Sequence, residues 1–428
     1  MLRILSLLCF SVVFFACSDD SSPNATPGNS ETDPSSNSGD PSSPGSNLAL
    51  PSNANKSAIT AKYEEWMNAY YATYDDDVAD GTLVPGLAKD GTQDAARIKW
   101  VPTPNRTVSE GIGYGMLLAA LNGDFTRFDK LWKYHKAYRM AGTDLMIWRV
   151  TSFRLPTDSG IATDADIDVC AALFIAYKKT GNQDYLNDAI AIGRSMHDVA
   201  LDDNKLLLPA EKTNYLITKP QISNGLINIS YISLAAIKLL AIHDTERDWN
   251  AVLDANIGYM QMVQNAGNGL WPDWSDNAGT PIDPGNNSCD NLRPLGGGEN
   301  VSSCLVYHKE GVRTPWRIAW YYHWFGDPRA KEMLGKAFTF VSGRADSDPS
   351  KIKSWYDYNG DREPLYGSTQ DARMWGSICA TGLGSESNSA WNAACNERLL
   401  ANNLLTTGYY EDSLFLLYLM LFNGNFEL

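Results

Sequence analysis

Ser109-Glu110-Gly111-Ile112-Gly113-Tyr114-Gly115-Met116 and Thr163-Asp164-Ala165-Asp166-Ile167-Asp168 each set acids at the start of an apolar helical run. Apolar residues recur at helical spacing over 108–122 and 165–180, and again over 184–198, 227–241, 246–263, 328–341 and 408–422. Several of these runs end in Gly or Asn; Gly181, for instance, follows Lys178 and Thr180 where a helix C-cap belongs. Alternating strand patterns are scarce. The periodicity predicts one mainly α domain of about a dozen helices, with long aromatic-rich loops able to build a site on one face.

Within the first stretch, Ser109 can cap a helix, which places Glu110 in its first turn near the positive end of the dipole. Gly111, Gly113 and Gly115 leave one side of that turn bare, so a large ligand could approach it. A plain first-turn helix acid has the same spacing. A nucleotide-binding reading of Gly-x-Gly-x-Gly requires a preceding strand, and none is expected. In the second stretch Asp164 and Asp168 share a helix face while Asp166 points away. A calcium loop would also begin Asp-x-Asp-x-Asp, but it needs Gly and Glu where Val169 and Ile175 stand. A solvated acid cluster is the bland alternative.

A third cluster runs from Tyr307 to Arg317 as Tyr-His-Lys-Glu-Gly-Val-Arg-Thr-Pro-Trp-Arg. Arg313 can hold a carboxylate through its planar fork, and Glu310 lies within its reach. Glu310 and Arg317 could equally form a surface ion pair. His135, His197, His243, His308 and His323 show no metal-binding spacing, and no Gly-x-Ser-x-Gly elbow occurs. No metal or cofactor is expected.

The 428 residues include 13 Trp and 21 Tyr and carry a net charge of −15. That acidity argues against nucleic acid, whose phosphates need clustered Lys and Arg. Residues 1–17 read as a signal peptide: Arg3, an apolar run from Ile4 to Phe15, then Ala16 and Cys17 in a lipobox-like end. Cys17 is the expected lipidation site, although Phe14 departs from the usual aliphatic residue. Residues 18–56, rich in Ser, Pro and Asn, read as a disordered tether, and 57–428 as the catalytic domain. These features predict an exported monomer. It would be an outer-membrane or cell-surface lipoprotein, otherwise periplasmic or extracellular, touching the membrane only through its lipid. Cys289 with Cys304, and Cys379 with Cys395, form two local pairs expected to be disulfides, and Cys170 reads as a buried thiol.

With these clusters in place, the chain resembles glycoside hydrolase family 8 over most of 57–428. The matching stretches, in order, are SEGIGYGM, LMIW ending at Trp148, ATDADID, NISY at 228–231, GLWPDW at 269–274, EGVRTPWR and the C-terminal GYY…NGNF. The resemblance implies an (α/α)6 barrel. It also implies that Glu110 is the general acid and that Asp164 orients the sugar and the attacking water. Trp148 would stack on sugar, Tyr231 would lie near the reaction centre, and Arg313 would steady the catalytic carboxylate. Tyr114 and Asp273, inside two of the motifs, are counted among the substrate-binding residues. Many family members carry an Asp as base three residues before the Arg; here Glu310 holds that position. Other members take the base from an inserted loop, and 275–306 contains Asp276, Asp283, Asp290 and Glu299.

The implied reaction is inverting hydrolysis of a β-1,4-linked polysaccharide, with β-glucan favoured over xylan and chitosan. Inverting sites hold their carboxyls roughly 6.5–9.5 Å apart to admit a water. Two other classes compete. A surface-tethered glycan-binding protein would explain the altered base as loss of catalysis. A lyase on a similar toroid would want a Tyr or His base with cationic neutralisation, which the acidic clusters disfavour.

Overall fold

The computed structural model describes residues 46–101, 103–214, 224–267, 269–284, 289, 292–296, 299–359, 372–403 and 408–428. The targeting segment, Cys17 and most of the tether lie outside them. Among the described residues there are thirteen α-helices: α1 Ile59–Tyr70, α2 Tyr74–Ala79, α3 Ser109–Asn122, α4 Phe125–Ala137, α5 Thr163–Thr180, α6 Gln183–Val199, α7 Leu234–His243, α8 Trp249–Ala266, α9 Thr314–Phe325, α10 Pro328–Arg344, α11 Ala372–Ala380, α12 Ser389–Ala401 and α13 Tyr409–Phe422. Short two-stranded antiparallel pairs form among the connecting segments, including β1 Tyr71–Thr73 with β2 Ala96–Ile98 and β3 Arg106–Val108 with β4 Arg149–Thr151.

The packing order explains the two kinds of helix in the sequence. α3 packs on α5, α5 on α7, α7 on α9, α9 on α11, α11 on α13, and α13 back on α3, closing a ring of six. These helices are apolar nearly all round, because neighbours and the outer layer cover every face. Outside them α4 lies on α3, α6 on α5, α8 on α7, α10 on α9, α12 on α11, and α1 on α13 and α3. The outer helices bury one stripe each: Phe128, Leu131, Tyr134 and His135 in α4, or Tyr185, Ala189, Ile192 and Met196 in α6. This alternation is the expected (α/α)6 arrangement, with α2 as a short addition.

Several local expectations change. Ser109 does not cap α3. The N-cap is Val108, and the buried Ser109 hydroxyl has no partner among the described residues, while its N–H donates to the Trp148 carbonyl at 2.8 Å. The three glycines are buried against protein and leave no face open to a ligand. A Cβ on Gly111 would meet Ile98 and the Tyr409 ring, and one on Gly115 would strike Ile98 and Leu131. A Cβ on Gly113 would stand 2.9 Å from the Ala165 carbonyl oxygen. Glycine is thus what lets α3 and α5 meet at backbone distance. Gly113→Ala is therefore expected to lower stability by about 1–3 kcal/mol through overpacking, read as a fall in the thermal midpoint; an unchanged midpoint would refute the close contact. A strand, β3, does precede the glycine run, contrary to expectation, but it pairs antiparallel with β4 and builds no nucleotide-binding βαβ unit.

The 227–241 run splits. Ile229–Tyr231 forms a single 3-10 turn, and the helix starts only at Leu234. Residues 46–56, assigned to the tether, instead pack on the body. Leu48 and Ala49 are buried, the Asn47 N–H donates to the His323 carbonyl, and the Ala49 N–H to that of Leu383. Their apolar pair was hidden in a polar, Pro-rich context. Cys289–Cys304 and Cys379–Cys395 are disulfides, and Cys170 is a buried thiol. Among the described residues no helix is long and apolar enough to cross a membrane.

Candidate active site

Each outer helix returns the chain to the same end of the ring, so functional side chains gather at inner-helix N-termini. Glu110 is the second residue of α3, Asp164 the second of α5, and Tyr409 the first of α13. Ser230 and Tyr231 lie in the turn ahead of α7, and Glu310 and Arg313 directly ahead of α9. Helix N-termini favour negative charge, which partly offsets the burial of so many acids.

Arg313 joins them. Its Nη1 donates to Glu110 Oε2 at 2.8 Å and to Asp164 Oδ2 at 3.0 Å, its Nη2 donates to Glu310 Oε2, and its Nε donates to Ser230 Oγ at 3.0 Å. The Arg313 side chain is 1 % exposed, those of Glu110 and Glu310 are 19 % and 26 %. The guanidinium is buried while two of the acids it grips reach solvent. Asn228 Nδ2 donates to Glu310 Oε2 at 2.9 Å, and Ser230 Oγ–H donates to Asn228 Oδ1 at 2.7 Å, which fixes the amide's direction. Tyr409 donates its hydroxyl to Glu110 Oε1.

Burial is the main influence on Glu110 and pushes its carboxyl up to about 8. Asp164 and Glu310 add repulsion, while the Arg313 charge and the Tyr409 hydrogen bond pull the other way. Asp164 is also raised, chiefly by burial and then by Glu310 and Asp168, against the pull of Arg313. Such a Glu holds its proton at neutral pH and can give it away.

The remaining acids of the 163–168 stretch have separate tasks. Asp168 is buried in a two-bond pair with Arg317, at 2.5 and 2.7 Å, so Arg317 makes no surface pair with Glu310. Asp166 accepts from the Met146 N–H at 2.9 Å and contacts His135 Nε2 at 3.0 Å. The expected face-sharing of Asp164 and Asp168 is present, but no solvated cluster exists, since all three are buried. Among the described residues no group of acids, His and Cys is placed to hold a metal.

Aromatic rings surround the acids. Trp148, 36 % exposed, is tied beside Glu110 through the Ser109-to-Trp148 backbone bond, with the Arg149 guanidinium 4.5 Å from its ring centre. Tyr231 and Tyr410 flank Arg313 at 4.9 and 5.6 Å, and Trp274 lies 6.2 Å from Tyr231. Two of the expected substrate-binding residues have protein surroundings of their own. Tyr114 is fully buried beneath the acids, because its helix is enclosed on every side. Asp273 turns to the backbone of the Glu310 loop, accepting from the N–H groups of His308, Lys309 and Gly311. That carboxylate shapes the loop carrying Glu310.

The alternative loop acids fare differently. Asp276 is buried and engaged in its own turn, accepting from the N–H groups of Ala278 and Thr280 and from Asn224. Asp290 and the side chain of Glu299 lie outside the described residues. The motifs alone assign no role to Asn228, Ser230 and Tyr409. The signal was present, since all three stand inside the NISY and GYY stretches.

The family description "Glycosyl hydrolases family 8" matches residues 48–288. The chain belongs to that family. Endoglucanase A of Acetivibrio thermocellus is 28 % identical over 333 residues, covering 75 % of this chain and 62 % of the relative. The chain thus spans less than two thirds of that protein. The Beta-glucanase of Niallia circulans is 27 % identical over 380 residues, covering 86 % of this chain and 85 % of its own length. In fold, the family 8 chain is similar to the Beta-1,3-1,4-glucanase from Paenibacillus sp. X4, with a TM-score of 0.71 at 23 % identity, covering 90 % of this chain and 97 % of the other.

Proposed function

We propose that this family 8 protein hydrolyses β-1,4-linked polysaccharide, β-glucan in preference to xylan, by single displacement with inversion. The observation that carries the reading is one buried guanidinium gripping Glu110, Asp164 and Glu310 at a single ring mouth. Glu110, protonated at neutral pH, gives its proton to the glycosidic oxygen as the C–O bond breaks. Glu310 takes a proton from the water that attacks the opposite ring face. Asp164, on the same Arg313 nitrogen as Glu110, helps hold sugar and water, and Trp148 offers a ring for a pyranose face. The endoglucanase and beta-glucanase names of the relatives support the glucan preference. The lipobox-like end at Cys17 and the two disulfides support an exported, surface-tethered enzyme.

The test is reducing-sugar release from carboxymethylcellulose, lichenan, xylan, xylo-oligosaccharides and chitosan in parallel, with lichenan or carboxymethylcellulose expected fastest. Proton NMR of the first-formed product from a β-linked substrate should show the α anomer; an initial β anomer refutes inversion. No release from any polymer, with binding retained, would leave a glycan-binding protein. The alkaline limb of kcat/KM is expected near 8, because activity is lost as Glu110 ionises.

A further inference from the structure

We propose that Tyr409 is a positioning residue that assigns the transferable proton of Glu110 to Oε1 and steadies the carboxylate left when that proton departs. The inference rests on the assignment of Glu110 as the proton donor. Its two oxygens have different partners. Oε2 faces Arg313 Nη1, which can only donate, so that oxygen is held as an acceptor. Oε1 meets a neutral phenol, and Tyr409 donates to it. The oxygen facing the neutral partner is the one that can carry a proton: one lone pair takes the Tyr409 O–H, and the other bears the acid hydrogen.

The fold holds this hydroxyl in place. The Tyr409 ring packs against Gly111, whose Cβ would stand 3.4 Å from Tyr409 Cε2, so the ring is seated on the residue next to Glu110. Its edge contacts Tyr70, centroids 6.4 Å apart, and Tyr70 is fixed by donating to Asp412 at 2.5 Å. Ser413 Oγ–H donates to the Tyr409 carbonyl at 2.5 Å and accepts from Trp66 Nε1 at 3.2 Å. Tyr409 is buried, with 3 % exposure, which suits a hydroxyl already committed to Glu110 more than a sugar-facing ring.

The chemistry follows from the charge. As the glycosidic C–O bond breaks, the Glu110 proton passes to the leaving oxygen and the attacking water's proton passes to Glu310. Solvent later returns a proton to Glu110 and takes one from Glu310. A hydrogen bond to a carboxylate is stronger than the same bond to a carboxylic acid, so the Tyr409 bond strengthens during transfer and favours the transition state over the ground state. The other charged and titratable groups around Glu110 are Arg313 and Glu310 ahead of α9, Asp164 on α5, Tyr231 ahead of α7, Tyr410 on α13 and Tyr114 on its own helix. Each stays in place when the Tyr409 hydroxyl is removed.

The test is Tyr409→Phe in the full chain, with two readouts. On a glucan, kcat should fall about 10- to 100-fold with KM little changed, and the alkaline limb should move up from about 8. Independently of turnover, the Glu110 carboxyl can be titrated by 13C NMR of glutamate-labelled protein, identified as the signal missing in Glu110→Gln. Its midpoint should also move up in Tyr409→Phe. An unmoved or lowered midpoint overturns the proposal, even if activity falls. Inactive wild type with a shifted midpoint would instead overturn the hydrolase reading alone. Should the Phe variant fail to fold, difluorotyrosine at 409, a stronger donor, should lower the midpoint; no change there also overturns the proposal.

Discussion

Glu110→Gln is expected to lower glucan hydrolysis by about 10²- to 10⁴-fold while polymer binding is nearly unchanged. Gln keeps the shape of a protonated Glu, and its amide oxygen can still accept from Arg313 Nη1, but it has no proton to give. A substrate with an activated aryl leaving group should lose far less, since such a group departs without protonation. Stability gives a second, independent sign. Because burial raises Glu110 from an ordinary 4.5 to about 8, the folded chain binds this proton more tightly than the unfolded chain. The associated stability is fully present below about 4.5 and is lost as pH rises through about 8. Gln does not titrate, so the variant should gain thermal midpoint relative to wild type as pH rises through that window. Comparable turnover in the variant, or a stability difference that does not change with pH, would reject Glu110 as the buried acid.

The ring was legible because inner and outer helices bury different amounts of surface. Apolar residues on all sides of 109–122 and 409–422 and one-sided stripes in 183–199 and 328–344 leave separate traces in a linear pattern. The 227–233 segment was not separable, because a buried turn beside a site is as apolar as a helix. The site acids were visible as candidates at the start of apolar runs, where an ordinary first-turn helix acid leaves the same trace. Their partners were not. Nothing in the spacing of Gly111 says that a ring almost three hundred positions later (roughly, by chain order) packs against it, since that contact depends on closure of α13 onto α3. The burial of Tyr114 and the backbone partners of Asp273 were hidden for the same reason. A motif indicates proximity to the site, but which way a side chain turns is decided by neighbours from other helices.

Glu310→Ala is expected to cost activity about as much as loss of the acid, again about 10²- to 10⁴-fold, and it separates this residue from the loop acids. Asp276→Asn should leave turnover largely intact, because that carboxylate closes its own turn and faces Asn224. The more telling readout is on Glu110. Glu310 is one of the negative charges that raise the Glu110 carboxyl, and both lean on the same guanidinium. Removing it leaves Arg313 with fewer acids to neutralise, so Glu110 should titrate lower and the alkaline limb of the residual activity should shift below 8. Tyr409→Phe moves that limb the opposite way, because it removes a donor instead of a charge. Opposite displacements from two substitutions on either side of one carboxyl would identify Glu110 as the group behind the alkaline limb. If Glu310→Ala kept full activity with an unmoved limb, the base would have to be sought in the 275–306 segment.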